Sequence, residues 1–264
     1  MIKSYKNKSW LEKKYLIEKL STVQIGKLIK VNDETIRNWL WKLNISVRPK
    51  GEGEHLACRN HCNLSQEAKE WIDGELMGDG CLYSHSKYSA GISYSSKYLE
   101  YANYVSNTLK SFGIKKAGKI NKYYRKEMDC YDYHYASLSY PELLSIRKRW
   151  YPKGKKIIPR DLKLTPLVLR QEHLGDGTLI HYKKGKPAIV LSTDGFSIED
   201  VNWLVNELNK LDFKSTRRNC DNSIHISTYS TKDFLSYIGK CPVKCYEYKF
   251  DYYKRGNEGV LKGE

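Results

Sequence analysis

The sequence lacks a long hydrophobic run, since no apolar stretch approaches the roughly 18–20 residues that a membrane-spanning helix needs. The first residues, from Met1 to Lys6, also lack the apolar segment of a secretory signal peptide. The seven cysteines form an odd-numbered set without a regular framework, which suits a reducing compartment. We therefore expect an intracellular protein of the cytoplasm or nucleoid, without a membrane segment.

Acidic residues are scarce relative to basic ones. The chain has 46 Lys and Arg against 30 Asp and Glu, a net charge of +16, and its 22 tyrosines far outnumber its 5 phenylalanines. Such a basic chain of 264 residues is long enough for about two domains and indicates a polyanionic partner, most simply nucleic acid. Charge alone does not distinguish DNA from RNA, or binding from catalysis.

The basic charge is concentrated near the N-terminus. Residues 1–50 contain 12 basic and 4 acidic residues, and the stretch from Arg48 to Glu54 is rich in Gly, Pro and charge, as in a linker. These features predict a small basic domain at 1–47, a linker at 48–64, and a larger domain from 65 onward.

Apolar residues at helical spacing predict three short helices within 1–47. The apolar positions are Trp10, Leu11, Tyr15, Leu16 and Leu20, then Ile25, Leu28 and Ile29, then Ile36, Trp39, Leu40 and Leu43. Ser21 and Gln24 form a capping box before the second helix, and Asn32 or Asp33 can cap the third.

This pattern resembles a helix-turn-helix DNA-binding domain, which implies that the third helix enters the major groove. The candidate contacts are then Thr35, Arg37, Asn38, Trp41 and Lys42. The alternative is a helical cap whose basic face is only solvated.

The larger domain contains an internal repeat. Residues 72–80 and 169–177 both end in Gly-Asp-Gly, with Asp79 and Asp176 at equivalent places. After Asp79 the pattern predicts strands at 81–88 and 90–96, a helix at 98–112, strands at 117–128 and 131–139, and a helix at 141–149. After Asp176 the same order predicts strands at 178–184 and 187–193, a helix at 197–211, strands at 214–219 and 223–229, and a helix at 231–238.

The two motifs and the repeated element order resemble the single-chain, two-motif type of LAGLIDADG homing endonuclease. The resemblance implies an α/β (α+β) fold in which two αββαββα half-domains, at 65–160 and 161–264, form a pseudo-twofold pair. It also implies saddle-shaped antiparallel sheets, a monomer, and origin in a mobile intron or a free-standing mobile gene.

The motif residues have a physical rationale of their own. Gly78 and Gly175 would allow two helices to approach closely, and Asp79 and Asp176 would then lie side by side. Adjacent carboxylates repel unless a cation lies between them, and hard ions such as Mg²⁺ prefer oxygen ligands. We place a site for two or three divalent ions at these four residues.

The two repeats also differ within the motif. Gly74 in the first copy corresponds to Gln171 in the second, so the second helix is less suited to close packing there. The further acids of the motifs, Asp73, Glu75 and Glu172, are interpreted as structural.

One candidate lysine follows the last helix of each repeat. The resemblance implies that Lys156, with Lys155 as an alternative, and Lys249 approach the scissile phosphate and stabilise charge there. The alternative is that both lysines are solvated surface groups.

Strand alternation predicts which side chains share a face, and the resemblance implies that the polar and basic face of each half-domain is a concave surface that lies along the major groove. The candidate residues are Tyr83, His85, Lys87, Lys122, Arg125 and Lys126 in the first copy, and Tyr182, Lys184, Arg217 and Arg218 in the second, with Ile180 at an equivalent place. His55, Cys58, His61 and Cys62 lie close in sequence but have no second ligand pair at zinc-site spacing, so a basic strap across DNA is favoured over zinc.

We therefore predict a Mg²⁺-dependent, site-specific phosphodiester hydrolase that makes a double-strand break in DNA at a long target, leaving short 3′ overhangs. The alternatives are a non-cleaving DNA-binding regulator and an intron RNA maturase on the same fold. The presence of both Asp79 and Asp176 favours cleavage, and the helix-turn-helix pattern favours DNA over RNA.

Overall fold

A computed structural model describes residues 4–48 and 60–253 of the chain. His55 and Cys58, two of the four candidate zinc ligands, lie outside the described residues. Buried apolar side chains form two separate clusters, one within residues 5–45 and one within residues 62–246. No helix among the described residues is long and apolar enough to cross a membrane.

The N-terminal part is helical, as predicted. Its elements are a 3₁₀ turn at Ser4–Lys6, α1 at Lys8–Glu12 continuing into a π-helical turn at Lys13–Ile17, α2 at Thr22–Ile29 and α3 at Asp33–Lys42. The capping box is confirmed, since Ser21 Oγ accepts from Gln24 N at 3.1 Å and Gln24 Oε1 accepts from Ser21 N at 2.8 Å. Asn32 caps α3 by accepting from Glu34 N at 3.0 Å.

The core of this part contains Leu11, Ile25, Ile36 and Leu40, all fully buried. Two of the apolar residues at helical spacing lie outside this core, because Leu16 and Leu28 are 45% and 58% exposed. Three short helices enclose too little volume to bury every apolar side chain that lies near the inner face. Arg48 connects the end of this N-terminal part to its first helical segment. It donates to the Lys19 carbonyl at 3.1 Å, and its guanidinium carbon lies 3.9 Å from the Tyr15 ring centre.

The larger part repeats one series of elements twice. The first series is α4 at Gln66–Met77, β1 at Cys81–Ser86, β2 at Ser89–Ser96, α5 at Leu99–Ser111, β3 at Asn121–Arg125, β4 at Cys130–Ala136 and α6 at Pro141–Trp150. The second is α7 at Pro166–Gly175, β5 at Gly177–Ile180, β6 at Ala188–Leu191, α8 at Ile198–Lys210, β7 at Ser215–Arg217, β8 at Ile224–Ile226 and α9 at Thr231–Ile238. The predicted mixed α/β architecture and repeat are confirmed.

Each series forms one four-stranded antiparallel sheet. The strand orders are β1-β2-β4-β3 and β5-β6-β8-β7, so the two sheets have the same topology. The inner face of each sheet contributes to a common core, in which Ile92 and Tyr135 of the first sheet and Ile189 and Ile226 of the second are buried. The opposite face of each sheet is therefore free to contact a partner.

The second sheet is shorter than the sequence predicts. β5 ends at Ile180, so Tyr182 and Lys184 lie in a loop rather than on the predicted strand. The loop follows from the local sequence, because Gly185 adopts a φ of +114° between lysines and Pro187 follows soon after. Strand alternation therefore does not fix the direction of these two side chains.

Candidate active site and nucleic-acid interface

The two motif helices, α4 and α7, pack against each other where both motifs end. A Cβ atom added to Gly78 would lie 3.4 Å from the Gly175 Cα, and one added to Gly175 would lie 3.3 Å from the Gly78 Cα. Neither position has room for a larger side chain without displacing the facing backbone. This confirms the predicted close approach of the two glycines.

The difference between Gly74 and Gln171 makes the same interface complementary. A Cβ atom at Gly74 would lie 2.8 Å from the Gln171 Cβ and 2.6 Å from the Val168 carbonyl oxygen. Gly74 thus leaves the space that Gln171 occupies, and the buried Gln171 amide donates to Glu75 Oε1 at 3.2 Å. The predicted looser packing of α7 at this position is therefore wrong, because one helix supplies the gap and the other fills it.

The close helix ends bring Asp79 and Asp176 to one open cavity of about 610 Å³. Burial raises the pKa of Asp176 to about 7, and the nearby charge of Asp79 adds to the rise. Burial also raises the pKa of Asp79, against the opposing charges of Lys249 and Lys156. Two partly buried carboxylates that oppose each other's ionisation form a site that a cation would stabilise.

Both candidate lysines lie at the ends of the motifs. Lys156 Nζ donates to the carbonyl oxygens of Gly78 and Gly80 at 3.1 and 3.0 Å. Lys249 Nζ donates to those of Leu174 and Gly175 at 2.6 and 2.9 Å. The matched positions in the repeat therefore correspond to matched contacts, and neither lysine is a solvated surface group.

The charges of the lysines act across the two half-domains. The pKa of Asp79 is lowered more by Lys249 than by Lys156, whereas the pKa of Asp176 is lowered more by Lys156. Burial lowers the pKa of Lys249 to about 8, opposed by both aspartates. Each lysine thus contacts the backbone of its own motif, and the charges of both lysines lower the pKa of each carboxylate.

The remaining motif acids have structural surroundings. Asp73 Oδ1 accepts from Arg149 Nη1 and Trp150 Nε1, both at 2.7 Å. Glu75 Oε1 accepts from Tyr101 Oη at 2.7 Å, and burial raises the Glu75 pKa to about 8.

Glu172, the equivalent of Glu75, is fully buried, and neither carboxylate oxygen accepts a hydrogen bond from any residue that the structure describes. Burial raises the Glu172 pKa well above its ordinary value. Its two oxygens are therefore among the unsatisfied buried polar atoms of α7, with Arg170 Nε and His173 Nδ1.

The oxygen atoms at the motif ends suit a divalent ion that would also bind oxygen atoms of a substrate. Across residues 4–48 and 60–253, no cluster of three or more His, Cys, Asp or Glu side chains could hold a metal by itself. The paired carboxylates of Asp79 and Asp176 supply hard oxygen ligands, which Mg²⁺ prefers, and it usually completes its shell with water and phosphate oxygens. The Gly78 and Gly175 carbonyls lie beside them and accept hydrogen bonds from the two lysines.

One residue near the carboxylates escaped the sequence analysis. Tyr94 Oη donates to Asp79 Oδ2 at 3.4 Å, from a ring that is 2% exposed. The strand registers pair Leu82 with Ile92 and Leu179 with Ile189, so Leu191 is the equivalent of Tyr94 in the second half-domain. Comparing the two repeats at this position would have shown that only Asp79 has a hydroxyl donor there.

The strand registers show which side chains face the cavity. In the first sheet Tyr123 pairs with Asp132, Arg125 with Cys130 and Asn121 with His134. Arg125, Asp132 and His134 line the cavity that holds both carboxylates, so this is the exposed concave face. His85 and Tyr83 also lie together, with ring centres 5.3 Å apart, and Tyr83 Oη donates to the Ser137 carbonyl.

Two candidate contacts point to the other side. Lys122 of β3 pairs with Tyr133 of β4, and its Nζ lies 3.7 Å from the Tyr131 ring centre. It therefore lies on the face where β4 also buries Tyr135 against the helices. Arg217 pairs with the buried Ile224 and donates to Asn219 Oδ1 at 2.7 Å. Both were placed on the concave face, and strand alternation puts both on the opposite one.

The other basic candidates are exposed. Lys87 lies in the turn between β1 and β2, Lys126 in a 3₁₀ turn after β3, and Arg218 directly after β7, where it pairs with Asp221 at 3.5 Å. Tyr182 and Lys184 are exposed in the loop that follows β5. These positions are suited to contacts with phosphates rather than to a fixed place on the sheet.

The candidates in the third N-terminal helix form one exposed face. Arg37, Asn38, Trp41 and Lys42 are exposed, with Trp41 at 71%, and Thr35 is half-buried. Ile36 and Leu40 on the opposite side are fully buried. The exposed face of α3 therefore contains the side chains that were predicted as candidate DNA contacts.

The two candidate zinc ligands that the structure describes have another partner. His61 Nδ1 lies 2.9 Å from Glu142 Oε1, and Cys62 Sγ donates to Glu142 Oε2 at 3.7 Å. Burial raises the pKa of the Cys62 thiol to about 12, which disfavours the thiolate that a zinc site needs. These contacts fasten the segment to α6.

Comparisons with known proteins agree with this geometry. The sequence profile of the LAGLIDADG DNA endonuclease family matches residues 69–234. An uncharacterized protein of Methanocaldococcus jannaschii is 30% identical over 217 residues, which are 78% of this chain and 80% of the relative. The cytochrome b mRNA maturase bI2 of Debaryomyces hansenii is 24% identical over 212 residues, which are 74% of this chain and 75% of the relative.

Among solved structures, the homing endonuclease I-WcaI bound to its DNA recognition sequence is similar to this chain, with a TM-score of 0.62 and 19% identity. The match covers 74% of this chain and 90% of that chain. At this identity the likeness shows a shared fold.

Proposed function

The chain belongs to the LAGLIDADG DNA endonuclease family, and we propose that it is a site-specific endonuclease that makes a double-strand break in DNA at a long target. The observation that supports this most directly is the meeting of Asp79 and Asp176 at the glycine contact of α4 and α7. Both carboxylates come from one chain, so we propose that a monomer cuts both strands.

We propose that Asp79 and Asp176 hold Mg²⁺ together with phosphate oxygens of the DNA. The bound ion would supply Lewis-acid stabilisation of the phosphate and a more acidic water. The protein's own residues support the geometry, because Lys156 donates to the carbonyls on either side of Asp79, and Lys249 donates to the two carbonyls that precede Asp176. Their ammonium groups also place positive charge where negative charge develops on the phosphate.

We further propose that the face of α3 that contains Arg37, Asn38, Trp41 and Lys42 contacts DNA outside the core target. Replacing Arg37 and Asn38 together by Ala keeps the buried face of α3 intact. We expect weaker binding and a footprint shortened on one side, with the cut position unchanged, in nuclease footprinting. Lys13→Ala with Lys14→Ala is the control, since it removes charge from a different helix. A footprint of unchanged length would show that α3 does not contact DNA.

The proposed endonuclease activity can be tested with randomised double-stranded DNA. The full chain is incubated with the library in Mg²⁺ or in EDTA, and the ends of the cut molecules are sequenced. We expect cut products only with Mg²⁺, sharing one recurrent target and a constant stagger between strands. Specific binding without cleavage would instead support a DNA-binding regulator.

The Debaryomyces relative, which is named as an mRNA maturase, gives a reason to test a second candidate function, RNA binding. A structured intron RNA is added as a competitor in the binding assay with the selected DNA target. If DNA is the substrate, the RNA competes only at the level of random-sequence RNA. Competition that exceeds this level by a factor of ten or more would favour a maturase.

A further inference from the structure

The concave face of the first sheet is polar and long. Its strands have 6, 8, 5 and 7 residues. The registers place on this face side chains that donate or accept hydrogen bonds: Tyr83, Ser93, Ser95, Asn121, Tyr123, Arg125, Asp132 and His134. Such side chains can read the donors and acceptors that base pairs present in the major groove.

Several of these side chains are already held in place by their neighbours. Arg125 Nε forms an ion pair with the Asp132 carboxylate, and Ser95 Oγ lies 3.0 Å from His134 Nδ1. The Tyr123 side chain is 55% exposed beside them, with its ring centre 6.4 Å from that of His134. Side chains that are ordered before binding lose less conformational entropy when they contact a base.

The equivalent face of the second sheet is short and has fewer polar side chains. Its strands have 4, 4, 3 and 3 residues. The registers place on this face Thr178, Ile180, Ala188, Val190, Thr216 and His225, of which the two threonines and His225 are polar. The central strand β6 contributes the apolar Ala188 and Val190, which are 0% and 9% exposed. Such a surface offers few hydrogen-bonding groups for reading base edges.

Several basic residues of the second half-domain lie instead in the loop that joins β5 and β6. Lys183, Lys184 and Lys186 are all exposed there. Flexible lysines act as point charges and bind phosphates without reading sequence. The two half-domains therefore offer different chemistry to one DNA duplex.

We propose that the half-domains divide DNA recognition: the first reads bases through the concave face of β1–β4, and the second holds the DNA mainly by its phosphates and discriminates bases weakly. This inference rests on the proposed binding of a DNA target. It makes the target unequal on the two sides of the cut, with one half-site strictly specified and the other degenerate.

The first test measures base preference on each side of the cut. Every base pair of the selected target is substituted singly, and equilibrium binding by the full chain is measured without cleavage, in Ca²⁺. In the half-site of the first sheet we expect substitutions to weaken binding by roughly 5- to 150-fold each, the usual range for a specified base pair. In the other half-site we expect less than about 5-fold.

Matched variants assign each half-site to its sheet. Tyr123→Ala with His134→Ala should remove the preference at several positions of the strict half-site. Thr216→Ala with His225→Ala, the control pair on the second sheet, should change the preference little at any position. Similar discrimination in both half-sites, or equal effects of both pairs, would overturn the proposed division.

The second test uses the dependence of binding on salt. Replacing Lys183, Lys184 and Lys186 together by Gln should lower the slope of log affinity against log salt by about 2 to 3, while base preference stays the same. The control triple of Lys69→Gln, Lys110→Gln and Lys148→Gln removes equal charge from exposed positions of α4, α5 and α6. A slope that falls equally in both triples, or a changed base preference in the first, would contradict phosphate binding by this loop.

Failure of the proposed function gives a different result. If the chain selects no double-stranded DNA from the library, the endonuclease proposal fails and the division of recognition fails with it. If DNA is bound and cut but both half-sites are equally strict, only the division of recognition is wrong.

Discussion

The two half-domains share one topology and differ in what surrounds their paired residues. Gly78 and Gly175, Asp79 and Asp176, and Lys156 and Lys249 have matched positions and matched contacts. The symmetry is lost in the neighbouring strands. Leu191 occupies in the second half-domain the position that Tyr94 has in the first, and the two sheets differ in length. The two half-domains are therefore most alike around the two carboxylates and differ in the strands that surround them.

Among changes outside the two carboxylates, we expect replacement of a lysine to have the largest effect on the cleavage rate. Replacing Lys156 or Lys249 by Met keeps most of the apolar stem and removes the charge. We expect the cleavage rate to fall by roughly 10²- to 10³-fold, the range for losing one well-placed donor, with little change in DNA affinity. Because Lys156 contacts the first motif and Lys249 the second, nicked intermediates should accumulate on opposite strands in the two variants, as read from strand-specific end labels. Equal slowing of both strands, or a change in affinity alone, would make the lysines ordinary backbone contacts.

The two buried glutamates test the same comparison through stability. Glu75→Leu removes the acceptor of Tyr101 and Gln171 and should lower the free energy of unfolding by about 1–3 kcal/mol. Glu172→Leu removes two oxygens that accept no hydrogen bond from the described residues, so it should leave stability unchanged or raise it. Urea denaturation of both variants measures the difference, and an equal loss in both would show that Glu172 has a partner.

The raised pKa of Glu75 predicts a dependence of stability on pH. Glu75 has a pKa of about 8 in the folded chain against 4.5 ordinarily, so the folded state holds its proton more tightly than the unfolded state. Its contribution to stability is therefore complete below about pH 4.5 and is lost as the pH rises toward 8, by up to about 1.4 kcal/mol per pH unit. Glu75→Gln should remove this part of the slope and leave the part that is due to the raised pKa of Asp176, whereas Glu67→Gln, an exposed control on the same helix, should retain both. Parallel pH profiles for wild type and Glu75→Gln would contradict the assignment.

The smallest effect is expected at Tyr94. Tyr94→Phe deletes a hydroxyl whose hydrogen bond to Asp79 is long, at 3.4 Å, and makes the surroundings of Asp79 more like those of Asp176. We expect a decrease of about 3- to 10-fold in the cleavage of one strand, corresponding to roughly 1 kcal/mol. Tyr124→Phe is the control, since it removes an exposed phenol hydroxyl from the opposite face of the first sheet. Equal slowing of both strands would show that Tyr94 does not act through Asp79.

Much of the fold could be predicted because the relevant signals are local. The capping box at Ser21 and Gln24 and the repeated Gly-Asp-Gly motifs fix helix ends by nearest-neighbour chemistry, and both were confirmed. The end of β5 was predicted too far along, because Ile180-His181-Tyr182 continues a strand-like pattern that the turn at Gly185 interrupts.

Other features depend on contacts that are distant in sequence. Lys122 and Arg217 were placed on the wrong face because strand register is set by pairing with β4 and β8. The contact between Tyr94 and Asp79 depends on the packing of β2 beside α4, which no local pattern in one strand shows. The contacts of Lys156 and Lys249 with the motif carbonyls likewise depend on packing between residues that are 78 and 74 positions apart.

The central claim is that each half-domain supplies one carboxylate to a shared site for cutting two strands. It is tested most directly by Asp79→Asn and Asp176→Asn, assayed on a supercoiled plasmid that contains the selected target. Each change keeps the shape of the side chain and removes the charge, so we expect neither variant to produce linear plasmid, while both still bind the target. Linear product at the wild-type rate from either variant would contradict the account.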